Sequence, residues 1–397
     1  MPVKYERWLS PAVFVVALLG YAFMARNILF APSIAPYFVR LAQAFLEGKT
    51  ALDMTNLSAF DLLFFNNQWY VAQPPLPAMW LAPFVALFGN PSDVLFGVVV
   101  GALSAMLCER VLRVGVPSLH LWHRLALTTF FAFGTAHLYL SVLGTVWFLG
   151  QICAVLAVWL FIAFALGKRP LLAGMALGMV LLARPSIAPG ALLFAGVLWW
   201  GDAPLRLRRA VLLALPMAVA VLFLGVYNEL RFDSPFNFGY GYINDSANIR
   251  ERRLTHGSFS PVFLPENVYV ATVMPPTIRP ECLFAPDCPA VTPDLWGMGF
   301  LWTNPLFLAG VWALRGRLFT AVALATGLVL LPSLLYHNTG SAQFGYRFFL
   351  DALPFWMLAL ASAVAGWRLP VLSAGVGYSL LVTVLGTRWY MRQILPL

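Results

Sequence analysis

The sequence predicts an all-α membrane protein of about 11 transmembrane helices, with juxtamembrane helices in its first external loop. Three observations carry that expectation. Of 397 residues, 61% are apolar and only 10% are charged, whereas soluble domains carry about 25% charged residues. The mean hydropathy is +0.80. The basic residues fall in short clusters between apolar runs. A water-soluble globule with so little polar surface could not cover its own exterior, and the same composition excludes a disordered chain.

Apolar runs able to cross a bilayer need about 20 residues, fewer where a helix is broken. They are Leu9–Ala25, Val94–Cys108, Leu125–Leu143, Val146–Leu166, Leu171–Ala183, Ile187–Trp200, Ala210–Tyr227, Leu295–Leu314, Leu318–Tyr336, Phe348–Ala365 and Val371–Gly386. The first follows Lys4 and Arg7 and lacks a small-x-small cleavage site, so it reads as a retained helix. A further run, Ala78–Phe88, is short and opens with Pro74, Pro75 and Pro77. Treated as non-crossing, it leaves Lys4/Arg7, Arg110/Arg113/Arg124, Lys168/Arg169, Arg206/Arg208/Arg209, Arg315/Arg317 and Arg368 on one side. That is the positive-inside pattern, not a nucleic-acid-binding stripe. It puts the N-terminus in the cytoplasm and the C-terminus outside. Residues 1–397 then form a single membrane-embedded domain with two external segments, 27–93 and 229–294.

The first external segment is amphipathic over Pro36–Gly48. Tyr37, Leu41 and Phe45 recur at i, i+4, i+8, while Arg40, Gln43 and Glu47 occupy another face. A polar loop with Asp53 follows, then Asp61, the run Asn66-Asn67-Gln68-Trp69-Tyr70, and the proline-led helix. The second segment is rich in Gly, Pro, Asn and aromatic residues, with Tyr227-Asn228-Glu229-Leu230-Arg231 at its start. Tyr70, Asn228 and Arg231 join the substrate-binding candidates, packing within the loops being the alternative. Cys282 and Cys288 flank a proline-containing turn, where a disulfide suits an oxidising compartment; two free thiols are the alternative.

Common catalytic motifs are missing: there is no Walker A sequence, no G-x-G-x-x-G, no H-E-x-x-H and no G-x-S-x-G. No nucleotide cofactor is implied, and the five histidines show no metal-ligand spacing with a carboxylate. Polar groups at membrane depth are costly and therefore informative. His137 lies in the outer half of its run. Arg184 breaks the hairpin Leu182-Ala183-Arg184-Pro185, where an unpaired arginine suits a phosphate diester and a structural ion pair or lipid headgroup contact is the alternative. In Tyr336 to Arg347, His337, Asn338 and Gln343 supply neutral donors, while Arg347 and Asp351 are spaced to pair on one helical face. A carboxylate facing these groups can take the proton of an attacking hydroxyl, and a cation can stabilise a departing phosphate.

The order of elements resembles the GT-C superfamily of membrane glycosyltransferases, the group that includes protein O-mannosyltransferases and the lipid A aminoarabinose transferase. The stretches that carry the resemblance are Leu41 to Gly48, Asp61 followed by Trp69-Tyr70-Val71 and Pro74 to Ala78, Gly134-Thr135-Ala136-His137, Ala183-Arg184-Pro185, and Tyr336 to Arg347. The resemblance implies a hexosyl- or pentosyltransferase of the bacterial inner membrane. It would move a sugar from a polyprenyl-phosphate donor, with inversion, to an extracytoplasmic glycan, lipid or protein acceptor. It also implies an external-loop aspartate as base and membrane-level arginines on the lipid phosphate. Relatives often carry an acidic residue before the first juxtamembrane helix, where this chain reads Ala31-Pro32-Ser33-Ile34-Ala35-Pro36. The base is then Asp61 or Asp53, with Asp61 preferred because it directly precedes the aromatic and proline elements. A divalent ion assists some members and not others, so metal use stays open. The competing class is a lipid-linked-sugar flippase, which calls for internal inverted repeats that the sequence does not display.

Overall fold

The computed structural model describes residues 6–199, 206–282, 290–313 and 315–394; Lys4, Trp200, Cys288 and Leu314 lie outside them. Helix α1 (Glu6–Met24) leads into the first large connecting segment, which holds α2 (Tyr37–Leu46), the antiparallel hairpin β1 (Leu62–Phe65) and β2 (Gln68–Val71), and α3 (Leu76–Phe88). Then follow α4 (Asp93–Gly115), α5 (Leu121–Phe133), α6 (His137–Leu143), α7 (Val146–Leu166), α8 (Pro170–Ala183), α9 (Ala188–Leu198) and α10 (Arg206–Phe232). The second large segment carries α11 (Ala247–His256), α12 (Leu264–Thr272) and the two-residue strands β3 (Thr277–Ile278) and β4 (Val291–Thr292). The chain closes through α13 (Phe300–Thr303), α14 (Gly316–Leu334), α15 (Leu353–Val364) and α16 (Leu369–Ile394).

Among the described residues, five helices are long and apolar enough to cross a membrane: α4, α7, α14 and most of α10 and α16. A sixth span is α5 and α6 taken together, bent by 49°. The remaining expected crossings are shorter. Apolar helices of 10–17 residues cover Trp8–Met24, Pro170–Ala183, Pro185–Leu198 and Leu353–Val364. Leu295–Leu314, expected as one run, is instead the single turn α13 followed by a 3-10 stretch, Pro305–Ala313. The break falls at Asn304-Pro305, where proline disfavours helical geometry in the residue before it and removes a backbone donor. Likewise Phe348–Ala365 begins as a 3-10 turn, Arg347–Asp351, and becomes α-helical only from Leu353.

Small residues set the closest helix contacts. In Gly174-x-x-x-Gly178 of α8, a methyl group at Gly174 would lie 2.4 Å from the Leu213 carbonyl of α10, so only glycine lets these backbones meet, as in small-xxx-small membrane interfaces. Helix α4 is capped by Ser92, whose hydroxyl accepts from the Leu95 amide at 3.1 Å. The hairpin turns on Asn66 and Asn67, both at positive φ (48° and 59°), the backbone that a two-residue type I′ turn demands and that asparagine tolerates.

Three distant loops join above one end of the bundle. The Asp61 amide donates to Asn244 O and the Asn244 amide to Leu62 O, both at 2.9 Å, so the second large segment docks along β1. His337 N donates to Ser258 O at 3.1 Å, fastening the 336–347 loop to the same assembly. Helix α2, amphipathic as expected, buries Tyr37, Phe38 and Leu41 against this assembly and the bundle.

Candidate active site

Beneath the joined loops lies a cavity of about 540 Å³. Its walls come from the same end of several helices: the start of α7 (Thr145, Trp147, Gln151), the end of α8 (Arg184), the end of α10 (Asn228, Arg231) and the region after α14 (Tyr336, His337). Gly167 and Arg113, Arg315 and Arg368 sit at the opposite helix ends. The cavity end and the basic end of the bundle are therefore opposed.

Asp61 enters this cavity from the turn before β1. Its backbone is left-handed (φ 58°), a conformation that aspartate tolerates better than most residues. Tyr37 fixes the turn by donating from its hydroxyl to Ser58 O and Phe60 O at 3.1 and 3.0 Å. Trp147 Nε1 donates to Asp61 Oδ2 at 2.9 Å, and Trp147 packs edge-on against Tyr37 and Phe60. Burial raises the Asp61 carboxyl to about 6, against the lowering effect of the Trp147 hydrogen bond; Asp245 pushes it further up and Arg347 back down. Asp61 forms no ion pair among the described residues, and burial outweighs the effect of Arg347 in making it basic.

The two arginines differ in their partners. Arg184, for which a phosphate ligand and a structural ion pair were both open, makes the ion pair: its Nη2 lies 2.7 Å from Asp351 Oδ2. Arg347, a substrate-binding candidate whose spacing to Asp351 also allowed a pair, donates from Nε to Gly340 O at 3.0 Å and forms no ion pair among the described residues. The cause is local geometry. Residues 347–351 form a 3-10 turn, in which i and i+4 do not share a face as they do on an α-helix. Gln151 completes the arrangement by donating from Nε2 to both Arg347 O and Asp351 Oδ1 at 2.8 Å. The Arg347 guanidinium lies over the Phe348 ring, 4.7 Å from its centroid, leaving further N–H donors for an anion.

Among the other residues singled out, Asn228, Arg231, His337 and Asn338 also line the cavity. Arg231 is a clamp: its donors reach Val71 O, Asn228 Oδ1 and Tyr227 O. Asn338 Oδ1 accepts from the Gly340 and Ser341 amides and shapes its own loop. Burial lowers the His337 imidazole below its ordinary value, so it sits neutral at the wall. Four residues stand apart from the cavity. His137 is fully buried, with Nδ1 3.0 Å from the Tyr21 hydroxyl. Tyr70 donates to Gln68 Oε1 and packs on Phe232. Gln343 supports the loop, donating to Trp296 O and Thr339 O and accepting from the Arg347 amide. Asp53 is exposed; hydrogen bonds from the Thr55 amide and hydroxyl close a local turn and lower its pKa. Cys282 is disulfide-bonded, while Cys288 lies outside the described residues.

Reading the residues alone missed Trp147, Gln151 and Asp245. Asp245 lines the cavity but is held by Arg253 and Arg250 at 3.1 and 3.2 Å. Among the described residues no three His, Cys, Asp or Glu side chains group to hold a metal ion, and with Asp245 so committed the donor set does not fit one. The Asn244-Asp245 pair, a polar break after an aromatic run, was the available signal.

The helices form a bundle whose loops roof an aspartate- and arginine-lined cavity. No family model matches the chain, and no curated protein matches its sequence. Solved structures do match. ArnT from Cupriavidus metallidurans, determined bound to undecaprenyl phosphate, superposes with a TM-score of 0.53 at 13% identity, covering 92% of this chain and 61% of that one. The Archaeoglobus fulgidus oligosaccharyltransferase in its apo form gives 0.49 at 14% identity, covering 97% and 56%. At such identities the ArnT likeness establishes the fold, and this chain spans about three fifths of the ArnT chain.

Proposed function

We propose that this chain is a glycosyltransferase that moves a sugar from a polyprenyl-phosphate donor to an extracytoplasmic glycan, lipid or protein acceptor, with inversion. One observation carries the reading: a carboxylate without a cationic partner, Asp61, and an arginine without a carboxylate, Arg347, line a single cavity. As the acceptor hydroxyl attacks the anomeric carbon, Asp61 takes its proton. The bond between that carbon and the phosphate oxygen breaks on the opposite side, and the electron pair leaves with the polyprenyl phosphate. Arg347, with Arg184 behind it, stabilises the charge developing on that phosphate. Direct attack with a single displacement gives inversion. No step runs through a metal ion.

We read eleven crossings with the N-terminus in the cytoplasm and the cavity on the outer face of a bacterial plasma membrane. The opposition of cavity and basic helix ends supports this under the positive-inside rule, as does a disulfide-bonded Cys282 in the second large segment. The test is transfer by purified protein from polyprenyl-phosphate sugars, comparing wild type with Asp61→Asn. The reading expects turnover that the variant loses. Undiminished transfer by Asp61→Asn removes Asp61 from the role of base. Absence of turnover with donor translocation into vesicles turns the assignment to a flippase.

A further inference from the structure

We infer that Gln73, Thr145 and Gln151 form a hydroxyl-recognising subsite that holds the transferred sugar of the donor, an inference that rests on the donor reading above. All three line the cavity. Gln73 Oε1, Thr145 Oγ1 and Gln151 Oε1 are buried atoms with no hydrogen-bond partner among the described residues. Thr145 and Gln151 are themselves 1% and 0% exposed. An unpaired buried polar atom costs free energy, so three in residues lining one cavity call for a ligand that pairs them.

Their chemistry selects the ligand. The two amide oxygens accept and cannot donate, and the threonine hydroxyl does either. A phosphate is itself all acceptor at neutral pH and would be repelled by them; a sugar ring supplies several O–H donors. The orientation of Gln151 is fixed by its neighbours, because its Nε2 already faces Arg347 O and Asp351 Oδ1, leaving Oε1 turned away from those acceptors. Thr145 begins α7 without using its side chain as a cap, so its hydroxyl has no local structural employment.

Position agrees with chemistry. The first two turns of α7 carry Trp147, which holds Asp61, and Gln151, which holds the backbone of Arg347. The unpaired Thr145 and Gln151 atoms belong to the same stretch. A sugar seated on this stretch meets a base at one end and a phosphate-binding cation at the other.

The experiment measures binding of bare undecaprenyl phosphate and of the same lipid carrying glucose, mannose, galactose or arabinose to the purified full chain. Wild type is compared with Thr145→Val and Gln73→Leu. The subsite predicts that wild type binds at least one sugar-bearing lipid more tightly than the bare one. Each variant should weaken that lipid by about 3- to 10-fold, the worth of one hydrogen bond, with the bare lipid unchanged. Thermal stability of Thr145→Val should not fall, since an unpaired hydroxyl is being removed. Equal weakening of bare and glycosylated lipid overturns the subsite, as does a wild type that prefers no glycosylated form. If bare lipid fails to bind while a sugar-bearing lipid remains sensitive to both variants, the subsite stands and the phosphate role of Arg347 falls.

Discussion

Arg184 and Asp351 form an ion pair of 2.7 Å at the wall of the cavity, with Asp351 almost wholly buried. This pair leaves Arg347 as the cation available to an anionic ligand. It also welds the end of α8 to the turn preceding α15, two elements that the chain brings together from far apart. A buried pair contributes little as a pair, but removing one member strands the other at a cost of about 3–5 kcal/mol. Arg184→Met should therefore lower the unfolding temperature strongly, and combining it with Asp351→Leu should recover part of the loss. Thermal unfolding of the single and double variants in detergent checks this.

Arg347 should matter to the ligand more than to the fold. Among the described residues its side chain donates to one protein acceptor, Gly340 O, and a charge-assisted hydrogen bond to a ligand is worth about 1.5–3 kcal/mol. Arg347→Lys keeps the charge but loses the planar fork. The expected result is a loss of about 10- to 100-fold in kcat/KM for a polyprenyl-phosphate donor, with a smaller loss for Lys than for Ala. Initial rates over a range of donor concentrations measure it.

Activity should depend on pH through Asp61. The base must be ionised, and burial places its carboxyl at about 6. The rate should rise as pH increases through about 6 and level above it. Trp147→Phe removes a hydrogen bond that favours the charged form, so the rising limb should move to higher pH. A purely structural role for Trp147 would lower activity without moving that limb. Asp61→Asn should cost about 10²- to 10⁴-fold, the usual range for a general base.

The same carboxyl bears on stability. Its folded-state pKa is raised above the ordinary value of 3.8, so the folded chain holds this proton more tightly than the unfolded one. Its contribution to stability is therefore greatest at low pH and is lost as pH rises from about 4 through about 6. At pH 8, Asp61→Asn should unfold at a higher temperature than wild type, and near pH 4 the two should converge. A pH series of melting curves separates this outcome from a folding defect.

Sidedness is directly accessible. Asp53 is exposed on the first large segment and outside the cavity, so Asp53→Cys should react with a membrane-impermeant thiol reagent in intact cells. Labelling that occurs only after lysis would reverse the orientation proposed here.

Much of the bundle was legible in the sequence because burial in lipid leaves a long apolar record: most expected runs coincide largely with helical structure, whereas Leu295–Leu314 becomes helical only from Phe300 and turns to 3-10 geometry at Pro305. The hairpin was less visible, although Asn66-Asn67 between Leu62–Phe65 and Gln68–Val71 is a two-residue turn signal. Arg184 stood out as a charge at membrane level and Asp61 as the acid directly before the aromatic and proline elements, and the cavity collects both together with Arg347. Their partners could not be read. Asp351 is four residues from Arg347 in sequence, and only the 3-10 turn hands it to Arg184 instead. Trp147 and Gln151 looked like ordinary members of an apolar helix, since nothing local marks which face of α7 meets the loops. His137, costly to bury and hence conspicuous, pairs its Nδ1 with Tyr21 on α1, a contact between segments that periodicity does not encode, while its buried Nε2 has no partner among the described residues.

The shortness of the helices around the cavity has a geometric consequence for the bilayer. At 1.5 Å per residue, the 14 residues of α8 and the 12 of α15 reach about 21 and 18 Å, against a hydrocarbon layer of about 30 Å. If both are crossings, as proposed above, the apolar slab thins locally or water descends beside these elements. A lipid could then bring its phosphate to Arg347 by sliding sideways and slightly downward, its tail never leaving the acyl layer. On the proposed function, thickness mismatch becomes the entrance ramp, and thicker bilayers should slow donor entry without touching a single residue of the cavity.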